Sequence, residues 1–210
     1  GEPEIDLWPV DARRFGSHAN WAYNHEKIAD TYARLYCAFF PNEFRDAARP
    51  NRTSPIYEHQ KAANAVFGDY YGWECPNYFP PEGEDGYETP SWRRSNAFQH
   101  VDNECKHAMN HVGIIDLTRF AKAKITGPGA KEWLNKMTCQ KVPEIDGRIA
   151  LSPMLDHNGN FKSDMTITRV NENEFFCVTA SVGKKHDQHW MALNLPDDGS
   201  VCMEDVTYKM

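Results

Sequence analysis

The amino-acid sequence predicts an α+β fold. Three β-prone runs lie close together between Ile149 and Ser181, and turn signals separate them. The first turn contains Asn158-Gly159, a pair that suits the two positive-φ positions of a type I′ hairpin. Helical segments are predicted on both sides of these runs, since apolar residues recur there every three or four positions. We therefore expect an antiparallel sheet packed against helices.

The middle run, residues 161–170, alternates between two kinds of side chain, as a strand with one covered face does. Because aspartate is depleted in strand interiors, Asp164 is out of place there. It is either a solvated residue or a carboxylate on the wall of a ligand cavity, and the pattern alone favours the former. The predicted core face carries Phe161, Ser163, Met165 and Ile167, and the opposite face carries Lys162, Asp164, Thr166 and Thr168.

Composition bounds the class of protein. The 210 residues, 40% of them hydrophobic, suffice for one large domain or two small ones. The formal charge of −7 and the lack of a basic run argue against nucleic acid as a main partner. No apolar run of membrane-spanning length and no signal-peptide pattern occurs, so we expect a soluble chain without a membrane partner. Because the chain starts at Gly1 without a Met, a removed leader and a truncation both stay open.

Cysteine and histidine spacing predicts no metal site. The six cysteines are widely spaced, which excludes zinc-ribbon patterns and favours free thiols in a reducing compartment over a disulfide scaffold. His107 and His111 stand four apart on a predicted helix, but no third ligand has matching spacing. The sequence also contains no Gly-x-Gly-x-x-Gly turn, Walker loop, Gly-x-Ser-x-Gly elbow or His-Glu-x-x-His motif.

The remaining elements are predicted from periodicity and from Gly and Pro positions. Residues 67–92 hold four prolines and four glycines, which exclude a long helix or a central strand, and they are rich in aromatic residues, which argues against disorder. We expect an ordered loop there, with a stacking platform for a ring ligand as the alternative. The run from residue 201 begins a strand, after which no complete element follows, so we expect an unfinished domain. We expect extended chain from Leu7, helices at 25–39, 56–66, 95–111, 128–139 and 184–193, and strands at 112–117, 120–126 and 201–206.

Several motifs in the second half resemble one family. In order, these are VGIIDL at 112–117, GPGA at 127–130, PML at 153–155 and SDMTI at 163–167. Together they are similar to the start of the aminomethyltransferase (glycine cleavage T protein) domain, which binds tetrahydrofolate. That resemblance implies an α+β, T-protein-like fold for residues 93–210, with the C-terminal part of the domain absent.

Upstream motifs resemble the dimethylglycine and sarcosine dehydrogenases. They include DLWPVD at 6–11, RTSPIY at 52–57, GWE at 72–74 and SWRRSN at 91–96. In those enzymes such a segment joins an N-terminal flavin domain to a C-terminal folate domain. Residues 1–92 are therefore expected to be an irregular connector or cap segment of a flavin-dependent oxidoreductase.

The resemblance implies a function. The flavin part of such enzymes oxidises an N-methyl amine, and the folate part captures the released one-carbon unit. The expected cofactors are tetrahydrofolate and FAD, the latter in a missing N-terminal domain of the same parent chain, and the expected compartment is the bacterial cytoplasm or the mitochondrial matrix. Asp164 falls on the family's catalytic carboxylate, and Phe120, Leu151, Thr166 and Thr179 join it as expected cofactor-binding residues around one cavity.

Two alternatives stay open. The chain could be a stand-alone folate-dependent aminomethyltransferase or methyltransferase, although its first sixty residues resemble the flavin-enzyme connector. It could also be a non-catalytic regulatory paralogue, such as the regulatory subunit of pyruvate dehydrogenase phosphatase. His186-Asp187 matches the dehydrogenase branch as well, without an assigned role.

Overall fold

A computed structural model of the protein describes residues 5, 7–84 and 86–209, which form two compact units. The first unit is Ser17–Leu117, and the second, here the sheet unit, is the described part of Gly1–Gly16 together with Thr118–Met210. Among the described residues, no helix is both long and apolar enough to cross a membrane. The division into 1–92 and 93–210 concerns a longer enzyme and stays a prediction.

The first unit contains three helices and a two-stranded hairpin. Helix α1 begins earlier than predicted, because the Asn20 side chain accepts a hydrogen bond from the backbone N–H of Tyr23 at 3.0 Å and so caps it. Large apolar side chains of this helix are exposed, with Tyr32 74% accessible. The elements are α1 (Trp21–Ala33), α2 (Tyr57–Ala62), β1 (Val66–Tyr70), β2 (Trp73–Tyr78) and α3 (Ala97–Asn110).

The expected loop over residues 67–92 is in part wrong, because β1 and β2 form an antiparallel hairpin there. Tyr71 and Gly72, with φ of 56° and 78°, supply the two positive-φ positions of its turn. Pro76 is tolerated because the sheet has only two strands and the register shifts between Val66 and Phe67.

Two predicted extended segments are also wrong. Residues 112–117 form no strand and expose their apolar side chains, with Ile114 93% accessible. At the other segment, Pro9 lies in the first turn of a 3-10 helix, Trp8–Val10. Hydrophobic runs predict strands only when a neighbouring strand can accept their backbone hydrogen bonds.

The sheet unit contains a five-stranded antiparallel sheet in the order β4-β5-β6-β3-β7. The three β-prone runs between Ile149 and Ser181 form strands as predicted, and the helix predicted at 184–193 is confirmed. The elements are β3 (Ala121–Thr126), α4 (Ala130–Met137), β4 (Ile149–Leu155), β5 (Phe161–Asn171), β6 (Glu174–Thr179), α5 (Lys184–Leu193) and β7 (Cys202–Asp205).

Helices α4 and α5 cover one face of this sheet and form the core with it. Met165 and Ile167 are 1% and 0% exposed, which confirms the predicted core face of β5. Phe161 does not follow the prediction, since it is 65% exposed beside the register shift between Met154 and Leu155. Burial raises the pKa of Cys177 to about 12, and all six cysteines are free thiols.

Gly127 makes the link from β3 to α4 possible. Its φ is 123°, and a Cβ there would lie 2.2 Å from the backbone oxygen of Ser200. Gly159, in the β4–β5 turn, has a φ of 83° but nothing within 4 Å of its virtual Cβ. Comparison of the two positions therefore distinguishes the cost of a positive φ from the cost of a steric clash.

Replacement of both glycines by alanine tests this difference. Gly159→Ala should cost about 1 kcal/mol of unfolding free energy from the positive φ alone. Gly127→Ala should cost roughly 3 kcal/mol or more, because a backbone atom must also move. Urea denaturation measures both, and equal losses would contradict the clash at Ser200.

Asp205 links β7 to α5. Its carboxylate accepts hydrogen bonds from Lys184 Nζ at 2.7 Å and from Thr207 Oγ1 at 2.6 Å. Partial burial acts to raise the pKa of Asp205, but these two partners outweigh it and lower the pKa from 3.8 to about 2.

Asp205 should make stability depend on acid pH. Its folded pKa is below the unfolded value, so its contribution is present above about pH 4 and is lost as the pH falls toward 2. Because the side chain is 39% exposed, solvent screening reduces that contribution to roughly 1 kcal/mol. Asp205→Asn should therefore destabilise the chain at pH 7 and match the wild type near pH 2 in denaturant titrations. A loss of equal size at both pH values would contradict this.

Candidate functional site

The candidate site lies on the face of the five-stranded sheet opposite α4 and α5, here called the open face. Strand pairing aligns one row across four strands of this face, in which Leu151 faces Thr166, Thr166 faces Val178 and Val178 faces Lys122. Asp164 occupies the next row of this face, opposite Pro153. The row combines apolar surface, a hydroxyl and a cation.

Asp164 is exposed, and Thr166 is half-buried on the same face of β5. Pairing of β5 with β6 begins only at Met165 and Thr179, so the segment around Asp164 is paired with β4 alone. The carboxylate therefore stands near the end of the sheet, where a ligand can approach it from outside.

Two further predicted residues border the open face. Leu151 is 59% exposed and lies directly opposite Thr166. Phe120 immediately precedes β3 and is half-buried. The Lys122 ammonium donates hydrogen bonds to the carbonyl oxygens of Thr118 and Phe120, at 2.8 and 3.0 Å, and so fixes the chain that leads into β3.

Thr179 does not join the other predicted residues. It pairs with Met165 and Ala121, so its side chain lies on the helix-covered face, and it is only 9% exposed. The expectation that it shares a cavity with Asp164 fails because side chains alternate between the faces of a sheet. Together with Asp187, Thr179 lines a small void of about 10 Å³ instead.

A buried polar cluster on the helix-covered face was not predicted. Asp187, in the first turn of α5, is 2% exposed. Its carboxylate accepts a hydrogen bond from Ser163 Oγ at 3.0 Å and lies 3.1 Å from His186 Nδ1. The sequence carried one signal for it, since Asp187 and the core residue Met191 stand four apart on the same side of α5.

A cavity of about 330 Å³ lies on the helix side of the sheet unit, with Trp133, His157 and Trp190 in its wall. None of the five predicted site residues lines it. In the described part of the chain, no three His, Cys, Asp or Glu side chains are grouped as a metal site requires. The rings of His107 and His111 instead stack on each other 4.7 Å apart.

The open face suits a particular chemistry. A carboxylate and a hydroxyl stand beside apolar side chains, a combination that fits a flat ring ligand with polar edges. An exposed carboxylate can accept a proton or offset a developing positive charge. The core side chains of the helix-covered face are buried and offer no such access.

Sequence comparison identifies two families along the chain. The model of the GCVT N-terminal domain family matches residues 56–210, and that of the FAD dependent oxidoreductase central domain family matches residues 1–54. Both matches confirm the resemblance predicted from the motifs.

Two curated relatives illustrate the breadth of the family. Dimethylglycine dehydrogenase, mitochondrial, of Mus musculus is 33% identical over 192 residues, which cover 91% of this chain and 22% of the relative. Pyruvate dehydrogenase phosphatase regulatory subunit, mitochondrial, of Mus musculus is 28% identical over 215 residues, which cover 100% of this chain and 24% of that protein. The chain thus spans about a quarter or less of the length of these relatives.

A solved structure confirms the predicted fold. The crystal structure of glycine cleavage system aminomethyltransferase T from Bartonella henselae superposes with a TM-score of 0.59 at 22% sequence identity. The match covers 72% of this chain and 37% of that one. The α+β, T-protein-like fold is therefore established, while the chemistry needs its own argument.

The exposure of Asp164 generates a prediction about stability. Asp164→Asn keeps the size of the side chain and removes a charge that lies outside the core. The free energy of unfolding should change by about 0.5 kcal/mol or less. Denaturant titration checks this, and a loss above roughly 2 kcal/mol would show that Asp164 supports the fold.

Proposed function

This chain belongs to the GCVT N-terminal domain family, and we propose that it is the folate-binding part of an N-methyl amine dehydrogenase of the dimethylglycine and sarcosine type. In this proposal FAD is bound elsewhere in a longer protein and oxidises the amine. The open face then captures the one-carbon unit on tetrahydrofolate. The match of residues 1–54 to an FAD-dependent oxidoreductase family supports the link to a flavin enzyme.

One observation carries the proposal, namely the exposed carboxylate of Asp164 in the middle of a strand. Nothing in the packing of the core requires an aspartate at this position, since the side chain points away from α4 and α5. Thr166 beside it, and Leu151 across from Thr166, complete a surface with one charge, one hydroxyl and one apolar group. A site with these three features suits a pterin ring better than a purely apolar or a highly charged ligand.

The residues present fit tetrahydrofolate in distinct roles. Leu151 and Phe120 would offer apolar surface to the ring, and Thr166 would donate or accept a hydrogen bond at its edge. Asp164 would accept a proton or balance positive charge during one-carbon transfer. Tetrahydrofolate, when bound, supplies the nitrogens to which the one-carbon unit becomes attached. Thr179 has no direct role in this proposal, because it lies on the other face of the sheet.

Two alternatives are weighed against it. A regulatory function is supported by the similarity to the phosphatase regulatory subunit along the whole chain. A stand-alone transferase is less supported, because residues 1–54 match an oxidoreductase family. We also propose a reducing compartment, either a bacterial cytoplasm or the mitochondrial matrix, for the parent protein, in keeping with its free thiols.

Paired rate measurements on the full-length protein test the proposal. Asp164→Asn should slow formation of methylenetetrahydrofolate by roughly a hundredfold or more, as loss of a general base does. Anaerobic reduction of the flavin by dimethylglycine or sarcosine should stay unchanged, since the two centres are separate. Glu172→Gln is the matched control, because it removes an exposed carboxylate from the β5–β6 turn.

The outcomes separate the candidates. Equal folate product yield in the wild type and Asp164→Asn would show that Asp164 is an ordinary solvated strand residue without a catalytic role. Equal loss in both assays would point to a folding defect. A wild-type protein with neither flavin reduction nor folate product would favour the regulatory alternative.

A further inference from the structure

The cluster around Asp187 is a deeply buried polar arrangement near the candidate site. Asp187 is 2% exposed, and its two carboxylate oxygens contact different partners, Ser163 Oγ at 3.0 Å and His186 Nδ1 at 3.1 Å. The ring of His186 in turn contacts the ring of Trp8 at 5.4 Å. A carboxylate so deeply buried is stabilised only while its hydrogen-bond partners stay in place.

Gly183 shows how closely this carboxylate is packed. Its φ of −82° is ordinary, so any residue could adopt the backbone conformation. A Cβ at this position would nevertheless lie 2.9 Å from Asp187 Oδ2, the oxygen that accepts the bond from Ser163. A single methyl group at Gly183 would therefore displace the carboxylate from its present position.

Ser163 connects this buried cluster to the open face. It directly precedes Asp164 on β5, and adjacent side chains of a strand point to opposite faces. Ser163 therefore faces α5 while Asp164 faces outward. Any shift of the backbone at Ser163 moves Asp164 with it, because only one peptide unit separates their Cα atoms.

The sheet itself holds this part of β5 weakly. The ladder between β5 and β6 begins only at Met165, so residues 161–164 pair with β4 alone. That pairing is irregular, since the register shifts between Met154 and Leu155, and β4 is an edge strand of the sheet. The bond from Ser163 to Asp187 ties this segment to the helix layer.

From this arrangement we propose that Asp187 is a positioning residue, which acts through Ser163 to hold Asp164 in place on the open face. The proposal rests on the proposed function, because it assumes that Asp164 acts in one-carbon capture. Asp187 itself contacts neither substrate nor cofactor. Its role is to fix the backbone that carries the reactive carboxylate.

Two variants break the link from different sides. Ser163→Ala removes the hydroxyl donor, and Gly183→Ala displaces the accepting carboxylate without touching β5. Each should lower the kcat of methylenetetrahydrofolate formation by roughly tenfold or more in the full-length protein, because small misplacements of a reacting group are costly. Flavin reduction by the amine should remain within about twofold of the wild type.

A double variant and a conservative variant distinguish a positioning role from a merely structural one. Ser163→Thr keeps the hydroxyl and should retain at least half of the wild-type kcat. Ser163→Ala combined with Gly183→Ala should lose little more than either change alone, because both break the same bond. Fully additive losses would overturn the proposal.

Ser95→Ala is the matched control for stability. The half-buried hydroxyl of Ser95 also donates to a carboxylate, that of Glu88 at 2.6 Å, but it belongs to the first unit and not to the sheet that carries the candidate site. This variant should lower the melting temperature as Ser163→Ala does, yet leave the kcat of one-carbon capture unchanged. An equal loss of kcat in Ser95→Ala would show that the effect is general destabilisation and would overturn the proposal.

Asp164→Asn, measured alongside, distinguishes the two levels of inference. If Asp164→Asn abolishes capture while Ser163→Ala and Gly183→Ala do not affect it, the positioning role is wrong and the proposed function stands. If Asp164→Asn has no effect, the proposed function and the positioning role are both wrong.

Discussion

Burial of one face of the five-stranded sheet under α4 and α5 is the interaction on which the rest of the sheet unit depends. Met165 and Ile167 of β5 are fully buried in the same core cluster as Trp133 and Leu134 of α4. Each large apolar side chain removed from water stabilises the fold by about 1.5–3 kcal/mol. A slip of β5 by one residue would expose these side chains, so the core fixes the strand register.

The same register decides what the other face can do. Since side chains alternate, a strand that buries Met165 and Ile167 must turn Asp164 and Thr166 outward. The open face is thus a consequence of the core, and it presents Asp164 and Thr166 on the side of the sheet away from the helices. Thr179 lies on the opposite side for the same reason, although it is close to Asp164 in the sheet.

The core face also carries polar groups. Ser163, Thr179 and Asp187 place polar groups among the apolar side chains of this layer, near the end of the sheet where β5 pairs with β4 alone. Burial of a carboxylate is unfavourable unless hydrogen bonds compensate for the lost water. The first turn of α5 adds to that compensation, because a helix N-terminus favours negative charge.

The sequence by itself determined the elements whose signals are local. Period-two alternation predicted β5, and Asn158-Gly159 predicted the turn between β4 and β5 but not its type, because Gly159 has the positive φ that a type I′ turn needs at both positions and Asn158 does not. The motifs predicted the family. Only the tertiary structure decided that residues 112–117 lack a partner strand and that residues 66–78 form a hairpin. It also decided which face of the sheet Thr179 occupies and that Asp187 contacts Ser163. Such contacts join residues that are far apart in the chain, so they depend on strand pairing and packing and not on local preference.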